Sequence, residues 1–191
     1  MKKLYKIDKG ELWYAEYWII SDLKKVVIHT GKVGTKGTTE ELNFSDFSED
    51  EKKLDNFFEQ RFRKQEFKEF TNDNLYWLVV QYKMKSLKGN TRDYWLKDKV
   101  MEYLNDELGW KGLGHVDGFD MGKTIADSKK FVLNIFCIVV NEEIAINAIK
   151  RCLREYRLDY TQIKIASRQN LPITEYELKY SAKKNDQIFS I

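Results

Sequence analysis

Phe131-Val132-Leu133-Asn134-Ile135-Phe136-Cys137-Ile138-Val139-Val140 decides the fold of the second half of the chain. The run is apolar at every position but Asn134 and has no helical period. A stretch of this kind is a strand covered on both faces or lying at a sheet centre. Downstream, Asn141 can cap a helix whose buried face is Ala145, Ala148, Ile149, Cys152, Leu153 and Tyr156. Tyr160–Ala166 then alternates as a strand, and Glu175–Ser181 can add an edge strand. The residues after it are expected to fray.

Upstream, Leu75-Tyr76-Trp77-Leu78-Val79-Val80-Gln81-Tyr82 is a second apolar strand. Asn90 or Thr91 opens a helix through Leu96, Val100, Met101, Leu104 and Leu108, with Gly109 expected at its end. A weak strand is expected within Leu113–Ile125. The order is βαββαβ, the ferredoxin-like arrangement, in which the first and third strands are central. The two most apolar segments occupy those places.

The first half reads differently. Leu12–Ile20 is rich in aromatic and β-branched residues and is expected to pair with Lys25–Thr30 through a polar hairpin loop. Gly31, Gly34 and Gly37 break regular structure, and Glu40–Phe44 can form a further strand. Ser48 with Glu51 predicts a capped helix, with Leu54, Phe57, Phe58, Phe62 and Phe70 near one face. The polar break Thr71-Asn72-Asp73-Asn74 marks a boundary. The expected organisation is α+β: a domain over residues 1–72, a ferredoxin-like sandwich over 73–170, and a segment over 171–191 that packs on the second domain or frays.

Lys+Arg is 33 and Asp+Glu is 30, a net charge of +3 over 191 residues. Nearly cancelling charges describe a solvated surface, not a polycation. No window approaches the roughly 18 apolar residues of a membrane span, so no membrane partner is expected. The first residues are basic but have no apolar core of a leader, so a cytoplasmic protein is expected. Cys137 and Cys152 are then expected as buried thiols without a disulfide.

Trp13, Tyr14 and Trp18 in the opening strand, the stretch Gly31-Lys32-Val33-Gly34-Thr35-Lys36-Gly37, and the helix with Phe58, Phe62 and Lys64 together resemble a WGR domain. The family's triplet is Trp-Gly-Arg followed by a hydrophobic residue and Gly. Here the corresponding residues are Thr30-Gly31-Lys32-Val33-Gly34, so the Trp and Arg are replaced. In the DNA-break-sensing polymerases those two side chains help grip nucleic acid at a strand end. Thr30 cannot stack, and Lys32 is a point charge rather than a planar fork. The resemblance implies an antiparallel sheet with a helix, and a bacterial, non-catalytic binding module contacting nucleic acid or a protein. In the nucleic-acid reading Lys32 and Lys36 supply phosphate contacts, assisted by Lys24 and Lys25.

Two other readings stand beside this one. One is a protein–protein module of the inhibitor or immunity type. The other is metal-dependent or acid–base chemistry in the glycine-rich stretch Gly109–Lys130, where His115, Asp117 and Asp120 could hold a divalent ion. An extended chain puts His115 and Asp117 on one face and Asp120 on the other, so a turn at Gly118 would be needed to gather all three. No other cofactor is implied. Gly118–Thr124 resembles a phosphate loop but lacks its first glycine, with Asp117 in that place.

Overall fold

Along Glu11–Ile20, residues of odd and even number face opposite ways, and both sets are rich in aromatic rings. A strand of this kind needs cover on both sides, and its two neighbours fix which residues meet. The computed structural model describes residues 2–48 and 50–191, without the side chain of Lys2. Glu49 lies outside the described residues. The described chain is mixed α+β, with two antiparallel sheets and three α-helices. It divides into two compact units, one of residues 1–70 with 110–112, the other of 71–109 with 113–191.

In the first unit β1 (Lys2–Asp8), β2 (Glu11–Ile20), β3 (Lys25–Lys32) and β4 (Thr38–Asn43) pair in sequence order. Strand β1 was not anticipated from its lysine-rich sequence. It is held by β2, with Leu4 opposite Ala15, and on its other side Tyr5 and Lys68 exchange two backbone hydrogen bonds of 2.8 and 2.9 Å. Helix α1 (Glu51–Lys64) presents Leu54, Phe58 and Phe62 to Leu4, Ala15, Tyr17, Val26 and Ile28. Tyr17 fixes the helix to the sheet, because its hydroxyl donates to Asp55 Oδ1 at 2.7 Å.

Two local expectations shift here. The cap of α1 is Asp50, which accepts from the backbone N–H groups of Lys52 and Lys53, while Ser48 Oγ accepts from Asp50 N. The helix ends at Lys64, so Phe70 is not on its face; it packs on Tyr5 with ring centroids 4.7 Å apart. Basic side chains in the last turn favour the end of the helix dipole without terminating the helix themselves.

In the second unit β5 (Tyr76–Met84), β6 (Gly114–Lys123), β7 (Phe131–Val139), β8 (Ile163–Gln169) and β9 (Glu177–Ser181) form a sheet of order β6-β7-β5-β8-β9. Helices α2 (Thr91–Trp110) and α3 (Glu142–Glu155) follow β5 and β7. Both cover one face, which carries Leu78, Val80, Tyr82, Leu133, Ile135 and Ile165. Asn90 caps α2 by accepting from Arg92 and Asp93, and Asn141 caps α3 by accepting from Ile144 N. Helix α2 continues through Gly109, and the left-handed turn falls at Gly112, φ +62°. Cys137 and Cys152 are both buried, and neither forms a disulfide. No helix among the described residues is long and apolar enough to cross a membrane.

The residues after β9 are bonded to the second unit at their end. Ser190 O accepts from Gln81 Nε2 at 2.9 Å, and Ile191 O accepts from Ile125 N at 2.7 Å. These bonds lay the segment across the face of the sheet that the helices leave open.

Candidate functional site

Strand register decides which lysines of the first unit can act together. Lys25 begins β3 and Lys32 ends it. Seven residues of strand separate them by about 23 Å. Lys24 precedes β3 in the left-handed region, φ +49°, and belongs to the same end as Lys25. Lys25 Nζ is 2.7 Å from Glu41 Oε2. The four lysines therefore form two groups at opposite ends of a strand, not one cluster.

At the Lys32 end, the register sets Trp13 opposite both Lys6 and Lys32. Directly paired residues on neighbouring strands stand about 5 Å apart and share a face. A half-buried indole, packed on the core of the first unit, thus has a lysine opposite it on either side, and the Lys6 ammonium lies 4.7 Å over the Phe67 ring. Lys32 Nζ also contacts Glu11 Oε1 at 2.5 Å, with both side chains nearly half exposed. An exposed pair of this kind contributes little and exchanges partners readily. Thr35 N and Oγ1 both donate to Lys32 O, closing the turn that leads to Lys36.

The glycines have a physical role in this turn. A Cβ on Gly31 would meet Gly37 Cα at 2.6 Å, and one on Gly37 would meet Tyr14 Oη at 2.4 Å. The chain folds back so tightly that only hydrogen fits at either position.

Beneath the turn lies a buried polar network that the sequence reading missed. Glu16 Oε1 is 2.7 Å from His29 Nδ1, and His29 Nε2 is 2.6 Å from Lys36 O and 2.9 Å from Tyr14 Oη. A carbonyl oxygen cannot donate, so Nε2 carries the proton directed at Lys36 O. A second proton lies between Nδ1 and the Glu16 carboxyl group. Tyr14 Oη then donates onward, with Thr35 O at 3.2 Å. Lys3 Nζ stands 3.2 Å from Glu16 Oε2, close enough to offset its charge but outside hydrogen-bond alignment. Burial raises the Tyr14 hydroxyl well above its ordinary value, and the Glu16 charge adds to the shift. The signal in the sequence was Glu16 inside an aromatic strand, on the face opposite Ala15 and Tyr17. His29 and Tyr14 have no exposed surface, so no reacting molecule reaches them. The network positions the Lys32–Lys36 turn and is not a catalytic centre.

In the second unit, His115, Asp117 and Asp120 all lie on β6 and are exposed. A bulge between Val116 and Gly118 reverses the expected facing. His115 and Asp120 share the open face, while Asp117 shares the Val116 side and raises the Cys137 thiol electrostatically. His115 and Asp120 sit opposite Ile138 and Asn134, four residues apart on β7 and hence about 13 Å from one another. The turn at Gly118 that would gather them is absent, because Gly118 pairs with Phe136 within the strand. Among the described residues no group of three or more His, Cys, Asp or Glu side chains could hold a metal ion. The phosphate-loop resemblance fails for the same reason: Gly118–Lys123 is strand, and Thr124 Oγ1 donates to Asp127 O.

Asn134 is a cross-strand partner. Its Oδ1 accepts from Gln81 Nε2 at 2.9 Å at the middle of the sheet. Comparison with protein-family models, with curated proteins and with solved structures finds no match.

Proposed function

We propose that the chain is a non-catalytic binding module, with a WGR-like first unit and a ferredoxin-like second unit, and that the first unit contacts nucleic acid. The cross-strand row Lys6, Trp13, Lys32 carries this reading. Two lysines paired by register with a half-buried indole offer phosphate attraction and a stacking edge together. Lys36 adds a third cation on the turn whose backbone the His29 network holds. Lys24 and Lys25 take no part, because they lie at the far end of β3. The ferredoxin-like assignment is supported by the strand order and by both helices covering one face.

Fluorescence anisotropy with labelled duplex DNA across a salt series tests the reading. Three phosphate contacts give a slope of about −2.7 in log affinity against log salt, or about 40-fold between 50 and 200 mM. Lys32→Glu is expected to weaken binding strongly, whereas Lys24→Glu leaves it nearly unchanged. No measurable binding at low salt, or equal loss from both substitutions, would overturn it.

A further inference from the structure

The open face of the five-stranded sheet has a composition of its own. Register sets Ile138, Trp77 and Arg168 in one cross-strand row, and Phe136, Val79 and Ala166 in the next. Asn134, Gln81 and Lys164 form a third row, and Lys83 lies beyond it on β5. On β5, β7 and β8 this face therefore bears three cations, two aromatic rings and two amides, and no carboxylate. Trp77 and Phe136 are half-buried and meet edge to face, with centroids 6.3 Å apart. On the neighbouring β6, Asp120 stands beside Asn134 on the same face and ends the third row with a carboxylate. The three central strands themselves combine positive charge, flat rings and hydrogen-bonding amides.

The anionic and carbonyl groups that meet these cations come from outside the three strands. Lys164 Nζ donates to Asp186 Oδ1 at 2.5 Å and to Ile188 O at 2.6 Å. Gln81 Nε2 donates to Ser190 O as well as to Asn134. Arg168 donates to Leu171 O, and the Phe189 ring lies 6.1 Å from Tyr176. The segment following β9 thus places a carboxylate on a lysine and a carbonyl on an amide of the open face, and a ring beside Tyr176 in the loop before β9. A single strand of nucleic acid offers the first two as phosphate and base-edge acceptor, and adds bases that can stack on Trp77 and Phe136.

This cover is thinly held. Residues 183–188 are exposed, and Ile188 keeps 71% of its surface. A cleft of about 120 Å³ remains beside Gln81, Lys83, Lys164 and Val132 under the segment.

We infer that the open face binds single-stranded nucleic acid and that residues 182–191 occupy it when no strand is bound. The inference concerns the second unit and does not depend on the Lys6–Trp13–Lys32 row. Displacing the segment frees one N–H of Gln81 for a base acceptor and the Lys164 ammonium for a phosphate. The ligand must be single-stranded, because bases stacked in a duplex cannot reach Trp77 or Phe136.

The test uses the full chain with fluorescein-labelled oligo(U) and oligo(dT), read by anisotropy, with ultraviolet cross-links mapped by mass spectrometry. Asp186→Asn with Phe189→Ala loosens the cover and is expected to tighten binding several-fold, since apparent affinity scales with the fraction of uncovered face. Lys83→Glu, at an exposed position, is expected to weaken binding without disturbing the fold. Cross-links are expected on peptides containing Trp77 or Phe136, and Lys32→Glu should leave them in place. Cross-links confined to the Trp13 peptide, a loosened variant that binds no more tightly, or equal affinity for duplex oligo(dA)·oligo(dT) would each overturn the inference.

Discussion

Replacing Glu16 with Leu is the most informative perturbation of the buried network. It removes the acceptor 2.7 Å from His29 Nδ1 and leaves Lys3 Nζ without the carboxylate 3.2 Å away. Breaking a buried charged pair by removing one partner costs about 3–5 kcal/mol, because the remaining polar group is left without compensation. Replacing both partners with apolar side chains often recovers much of that loss. Glu16→Leu should therefore destabilise the first unit by about 3 kcal/mol, and adding His29→Leu should recover at least about 1.5 kcal/mol. Two compact units make a whole-chain melt difficult to apportion. Amide hydrogen exchange on peptides from β2 and β3 reads the first unit alone. A 3 kcal/mol loss there corresponds to exchange faster on the order of 100-fold. Additive effects of the two substitutions, or a change below about 1 kcal/mol for Glu16→Leu, would refute the network as the support of the Lys32–Lys36 turn.

Other consequences are open to simple measurements. Gly37→Ala forces a Cβ to within 2.3 Å of Thr30 O at φ +62° and should cost about 3 kcal/mol, read as lost protection in the 30–37 backbone. Tyr17→Phe removes the hydroxyl that donates to Asp55 and should cost about 1 kcal/mol by urea titration, without changing the m-value. Burial, with a smaller contribution from Asp117, pushes the Cys137 thiol up to about 12, and burial also raises Tyr5, Tyr14, Tyr17 and Tyr82. The folded state thus holds protons that the unfolded chain releases. Stability is complete below about pH 9 and declines as pH rises through about 12 for the thiol. Denaturant midpoints between pH 7 and 11 should fall on the alkaline side, and a midpoint rising with pH would contradict this.

The central strands of the second unit were legible because their apolar runs exceed anything a surface strand needs, and the α3 cap because Asn141 acts on N–H groups three residues away. Local signals of this kind lie in adjacent residues. Strand β1 escaped notice because Lys2-Lys3-Leu4-Tyr5-Lys6-Ile7-Asp8 has too few apolar residues; it is a strand because β2 supplies a partner. The cap of α1 moved from Ser48 to Asp50 because both residue types accept at a helix start, and composition does not rank them. The largest error concerned facing. One bulged residue in β6 exchanged the sides of Asp117 and Asp120 relative to strict alternation. Glu16 and His29 are thirteen residues apart and meet only through register, so neither looked functional alone. The same register dispersed the four lysines and put Lys6, which had not been singled out, beside Trp13.

Amide and indole chemical shifts of the isotope-labelled full chain, followed during titration with a DNA duplex, test the central claim most directly. The account predicts concerted changes at Lys6, the Trp13 indole, Lys32 and Lys36, with Lys24 and Lys25 unmoved. Changes centred on Lys24 and Lys25, or a spectrum that does not respond at low salt, would contradict it.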